Sequence, residues 1–161
     1  MVEIHPRKGI LIPLMSVEVQ LKLLEVRRTL EEQAVRFAAH RLTVSHKNEM
    51  LQLAELLLSC KDYKEPRNFG AILKQVHRVI ADSTQNEYLT MAILPLQELS
   101  RRFWFAHVQS FEKEFSIAGQ LHATTLKAIC HSDETAASEA SLALNDYLIE
   151  FAYRSIRRTP N

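Results

Sequence analysis

Apolar and polar side chains alternate over the first few positions of the chain and then take up a helical period that persists to its end. Val2-Glu3-Ile4-His5 has the two-residue rhythm of a strand, and Pro6-Arg7-Lys8-Gly9 has turn chemistry. Ile10-Leu11-Ile12-Pro13-Leu14 is a second β-branched run, stopped by proline. Residues 1–15 therefore predict a short β-hairpin or an extended remnant. A lone hairpin is marginal in water, so this one is expected to have belonged to a larger unit.

The rest of the pattern predicts helices. Ser16 is a plain N-cap for a first helix over residues 17–42, whose stripe of Val19, Leu23, Leu24, Leu30, Ala34, Phe37 and Ala38 keeps one face toward a core. Thr43-Val44-Ser45 separates it from a second helix over residues 46–62. Pro66 fits the first turn of a third helix, where the amide hydrogen it lacks would have no partner, and that helix reaches about Ser83. Thr84-Gln85-Asn86-Glu87 has the form of a capping box and opens a fourth helix, with a kink expected at Pro95. A fifth helix covers residues 111–130. Ser132 or Asp133 caps a sixth that runs to about Arg158, with Arg154, Arg157 and Arg158 at the negative end of its dipole. The fold class is all-α, an antiparallel bundle of six to seven helices over residues 16–161.

Composition narrows the function. With 161 residues, 47% hydrophobic and 24% charged, the chain is long enough for one domain with a real core. A net charge of +1 argues against a nucleic-acid surface spread over the body. No apolar run approaches the ~20 residues that span a bilayer and no signal peptide is evident, so the expectation is a cytoplasmic protein without a membrane partner. Cys60 and Cys130 lie too far apart for a zinc or redox motif, and Gly9, Gly70 and Gly119 cannot make a phosphate-cradling loop.

The informative residues are polar ones on stripes that ought to be apolar. His77 sits between Leu73 and Ile80, and His122 among Ala118, Thr125, Leu126 and Ile129. A single such histidine is commonly a satisfied core residue. Two on separate helices can face one cavity. Arg27 lies among Leu23, Leu24 and Leu30, so it must snorkel, pair with a carboxylate or meet an anionic ligand, whereas Arg28 faces Glu31 and Glu32 and reads as a surface ion-pair residue. Arg101 and Arg102 precede Phe103-Trp104-Phe105, and Asn145 lies among Leu142, Leu148 and Ile149; these too are candidates for the cavity. No histidine has a glutamate three residues before it as a di-metal bundle needs, and no nucleophile elbow or zinc-protease motif occurs. No catalytic set is visible.

Taken in order, Glu25-Val26-Arg27-Arg28-Thr29-Leu30-Glu31, His77 with Ile80-Ala81, Asn86-Glu87-Tyr88-Leu89, and His122 through Ala128-Ile129 with Asp133 and Ala137 resemble the C-terminal sensor domain of GntR family transcription regulators, FadR-type. The resemblance covers essentially the whole chain, and residues 1–15 are similar to the wing and linker that close the family's winged helix-turn-helix domain. It implies a dimeric, non-enzymatic domain that binds a small effector and controls DNA binding by a separate domain. This chain, without recognition helices, is not expected to read an operator by itself. The resemblance also implies a divalent metal held by an Asp, His77, His122 and a third His. Leu73 stands at the Asp position and Leu144 or Asn145 at the third His, leaving His77 and His122. A metal-free pocket is the expectation, with Arg27, His77, His122, Arg101, Arg102 and Asn145 receiving an organic acid directly. Two alternatives stand beside it: a helical-bundle enzyme using a metal on the two histidines, and an interaction module with a dry core.

Overall fold

In a computed structural model, residues 3–5, 9–11, 15–59 and 66–156 are described. Among them are six helices: α1 (Val17–Arg41), α2 (Val44–Leu58), α3 (Pro66–Ser83), α4 (Glu87–His107), α5 (Phe111–Cys130) and α6 (Glu134–Ile156). The fold is an all-α bundle. Two three-residue strands, β1 (Glu3–His5) and β2 (Gly9–Leu11), pair antiparallel with Glu3 opposite Leu11. They are shorter than the expected hairpin, whose turn at 6–8 lies outside the described residues, and a full hairpin is not supported.

Helix ends follow their capping chemistry. Ser16 accepts from the amide of Val19, and Thr43 accepts from that of His46, which starts α2 at Val44 instead of His46. Residues 60–65, where the second helix was expected to end, and 157–161 lie outside the described residues. The capping box expected at Thr84 does not form. Thr84 Oγ1 donates to the Ala81 carbonyl at 2.7 Å and so closes α3, Gln85 adopts a left-handed φ of 48°, and Asn86 caps α4 by accepting from the amides of Tyr88 and Leu89. Asp133 accepts from the Ala136 amide at 2.9 Å and starts α6. Helix α4 continues unbroken through Pro95, whose ring lies on the exposed face. The carbonyl deprived of its donor belongs to Met91, itself 63% exposed, so water can satisfy it.

Helix α1 packs most extensively on α6, α2 on α5, and α5 on α6, while α3 and α4 close the bundle. Leu24, Met50, Leu57, Phe69, Leu126 and Ile129 are fully buried, and Phe69 stacks on Phe115 with ring centroids 4.2 Å apart. At Gly119 a Cβ would sit 2.9 Å from the Leu57 carbonyl oxygen, so α2 and α5 approach too closely for any side chain. Gly119→Ala gains up to ~1 kcal/mol of helix propensity but strains that contact by about 1–3 kcal/mol. A net loss of about 1 kcal/mol is expected in urea denaturation; equal or greater stability would show that the two helices can part freely.

Candidate functional site

Five helices turn polar side chains inward at mid-bundle. Arg27 of α1 is 2% exposed, His77 of α3 5% and His122 of α5 6%, and the two imidazole centroids lie 5.5 Å apart. His122 Nδ1 stands 2.7 Å from the Ala118 carbonyl oxygen, which can only accept. Nδ1 therefore carries the hydrogen, and Nε2 presents a bare lone pair. That Nε2 has no partner in the protein, and neither ring nitrogen of His77 has one. Each buried polar atom left so costs about 1–3 kcal/mol.

Both rings are neutral at physiological pH. Burial pushes His122 down from 6.5 to about 4, helped by Arg27 and opposed by the Ala118 carbonyl and Glu31. His77 is held well below the usual imidazole range by burial first and then by Arg27, His122 and Arg101.

Arg27 does not snorkel. Its Nε donates to Glu31 Oε1 at 2.9 Å, one helical turn away, and Glu31 is itself only 5% exposed. The carboxylate also accepts from Gln97 Nε2 at 2.6 Å and from Asn145 Nδ2 at 2.7 Å. Because Glu31 can only accept, both amides must present nitrogen to it, which leaves Gln97 Oε1 and Asn145 Oδ1 as buried acceptors without partners. Arg28, expected to face Glu31 and Glu32, instead pairs with Asp146 on α6.

Two small cavities flank the histidine pair, each about 20 Å³, room for roughly one water molecule. The first is walled by Arg27, Ser100, Arg101, Trp104 and Tyr147, with Leu73 and Ala118 behind His77 and His122. The second is walled by Glu31, Gln97, Thr125, Ser141 and Leu144, again with His77 and His122. Arg101 thus reaches the site while bonded to Glu98. Arg102 does not: one residue further on, about 100° around the helix, it is exposed. Asn145 borders neither cavity directly and acts on the site by holding Glu31.

Sequence reasoning missed Glu31, Gln97 and Tyr147. The signal for Glu31 was its spacing of four from Arg27, which puts the two side chains side by side on one helix. Tyr147 Oη accepts from Trp104 Nε1 at 2.9 Å and donates to Glu114 Oε2 at 2.5 Å, while Arg154 donates to the other oxygen of that carboxylate. Burial and the Glu114 carboxylate push the Tyr147 phenol up, so it remains a neutral donor and fixes the cavity wall.

Divalent metal chemistry has little to build on here. Among the described residues no group of three His, Cys, Asp or Glu side chains could hold an ion. The two positions that would complete the set carry Leu73, and Leu144 or Asn145; both leucines line the cavities, and the Asn145 amide nitrogen is turned to Glu31. Two neutral imidazoles without a carboxylate do not fit such a cation.

Among the described residues no helix is long and apolar enough to cross a membrane. The profile of the FCD domain matches residues 22–146. No curated protein matches the chain. Among solved structures, that of E. coli McbR/YncC has the same fold, with a TM-score of 0.78 at 15% identity, covering 96% of this chain and 74% of that one. With the domain profile covering most of its length, the chain belongs to the FCD domain family, the effector-binding class of GntR-type regulators, which is regulatory and not enzymatic.

Proposed function

We propose that this domain senses a small monocarboxylate, its acid group bound directly by Arg27, Arg101 and His77 without a metal, while the His122 Nε2 lone pair accepts from a donor elsewhere on the ligand. The observation that carries the reading is the set of three unpartnered imidazole nitrogens, buried beside an arginine, at the walls of two small cavities. Arg27 spends Nε on Glu31, so the two amino groups at the end of its fork are the donors it has for an acid, and a neutral His77 adds one N–H. Asn145 positions the Arg27 carboxylate partner, and Arg102 takes no part.

Because each cavity holds about one water, an acid enters only if the walls move, and that movement is what a regulator needs. Occupancy then favours one packing of the bundle over another, which is the condition for a ligand to shift an equilibrium. The domain works as a cytoplasmic homodimer; the exposed apolar side chains Val19 and Val26 on α1 and Tyr88 and Met91 on α4 support a second copy as partner. DNA is contacted by a separate domain, to which residues 1–15 are the wing and linker.

Short carboxylic acids should raise the melting temperature of the chain. At a hundred times its dissociation constant a ligand adds about 2.7 kcal/mol. Calorimetric titration should give one site per chain, lost in His77→Phe. If no acid shifts melting or releases heat, the reading fails.

A further inference from the structure

The two cavities have opposite chemistry. The first has Arg27 and Arg101 in its walls and no carboxylate; the second has the Glu31 carboxylate, the unpartnered Gln97 Oε1 and the hydroxyls of Thr125 and Ser141, and no cation. They lie at successive levels of the bundle. Leu73 and Ile80 on α3, and Ala118 and Thr125 on α5, line the first and second cavities respectively, and in each helix the two are seven residues apart. At ~1.5 Å of rise per residue that is about 10 Å along the axis. His77 and His122 line both cavities.

The pair is asymmetric. His122 is pinned by its bond to the Ala118 carbonyl, and its free Nε2 demands a donor. His77 is held by no hydrogen bond at either nitrogen, so its ring turns without breaking one. The charges are already balanced, because Arg27 is matched by Glu31 and Arg101 by Glu98. A second negative charge delivered to the Glu31 level would meet a carboxylate and a bare carbonyl oxygen. An ammonium there would find that carboxylate already engaged by three donors and its charge already matched by Arg27.

We propose, building on the acid-binding reading above, that the two cavities join into one elongated site when the His77 ring turns aside, and that its ligand is a short monocarboxylate bearing a neutral hydrogen-bond donor at the far end. The carboxylate meets Arg27 and Arg101. The chain passes between the imidazoles, and a terminal hydroxyl or amide N–H donates to Gln97 Oε1. Gln97 is thus the specificity-determining residue, through the amide oxygen that its bond to Glu31 leaves without a partner.

The test is a calorimetric series on the unmodified chain with pentanoate, 5-hydroxypentanoate and pentanedioate, repeated with the six-carbon homologues. The hydroxy acid is expected to bind at least ~10-fold more tightly than the plain acid, the worth of one buried hydrogen bond, and the diacid more weakly than either. Gln97→Met, which removes the proposed acceptor, should abolish the hydroxyl advantage, so that pentanoate and 5-hydroxypentanoate bind alike, and Ser141→Val, which fills the second cavity, should weaken the hydroxy acid more than the plain one. Should plain and hydroxy acids bind alike, or the diacid bind best, the two-level site is wrong while the acid-binding reading survives. If none of the acids binds, both are wrong.

Discussion

Arg27→Met is expected to destabilise the fold by about 3–5 kcal/mol, the usual cost of stripping one partner from a buried ion pair. The substitution keeps the apolar stem but leaves Glu31, 5% exposed, with only the amides of Gln97 and Asn145 as donors. The loss lies in the uncompensated carboxylate and not in the missing packing, so removing the charge should restore most of it. The double variant Arg27→Met, Glu31→Gln should recover at least half of the lost stability, since the new amide oxygen accepts from one of Gln97 and Asn145 and its NH2 donates to the unpartnered oxygen of the other once that amide flips. Urea denaturation of the two single variants and the double variant checks this as a double-mutant cycle. A loss below 1 kcal/mol for Arg27→Met, or no recovery in the double variant, would show that Glu31 is solvated in solution.

The second large effect is acid sensitivity well above the carboxylate range. His122 titrates at about 4 in the folded chain and near 6.5 when exposed, so as pH falls below 6.5 the unfolded chain binds a proton that the folded chain refuses. Stability is therefore fully present above pH 6.5 and lost as pH falls toward the folded value. At 1.36 kcal/mol per pH unit the loss from this group is about 3 kcal/mol by pH 4. His77, lowered for the same first cause, adds to it. The charges facing the pair are Arg27 from α1 and Arg101 from α4, which oppose protonation, and Glu31 from α1, which favours it at His122 and is itself spoken for. Urea midpoints should fall steadily between pH 7 and pH 4.5, and His122→Leu should flatten that slope. Midpoints that stay level over this interval would mean that the imidazoles reach water.

Much of the fold was legible because helices announce themselves locally. The apolar period placed all six, and Ser16, Pro66 and Asp133 marked three starts with chemistry that acts within one turn. Thr84 misled for an equally physical reason: its hydroxyl satisfies the last turn of α3 before it can cap α4, so two adjacent helices competed for one side chain. At the site, the helical period brought out His77, His122, Arg27 and Asn145, each a polar residue on an apolar stripe. It could not show what these side chains meet. Arg27 is joined to Glu31 within α1, but Gln97 and Asn145 reach the same carboxylate from α4 and α6, and only the packing of those helices brings the three together. Arg101 and Arg102 are adjacent in sequence, and their separation into a cavity wall and a solvent face depends on the rotation of α4 about its axis, which the flanking aromatics did not fix.

Both charges of the buried pair are carried by one unbroken helix. Arg27 and Glu31 sit one turn apart on α1, and from Arg27 the same helix runs back through ten residues to Val17, about 15 Å along its axis, with no loop between. At that end Gln20 is tied to Ser100 of α4 by a 2.7 Å hydrogen bond. Helix α1 is therefore a lever with one arm in the cavity and the other at the residues that precede the bundle. A tilt imposed at Arg27 is felt at Ser16 without passing through any joint that could absorb it.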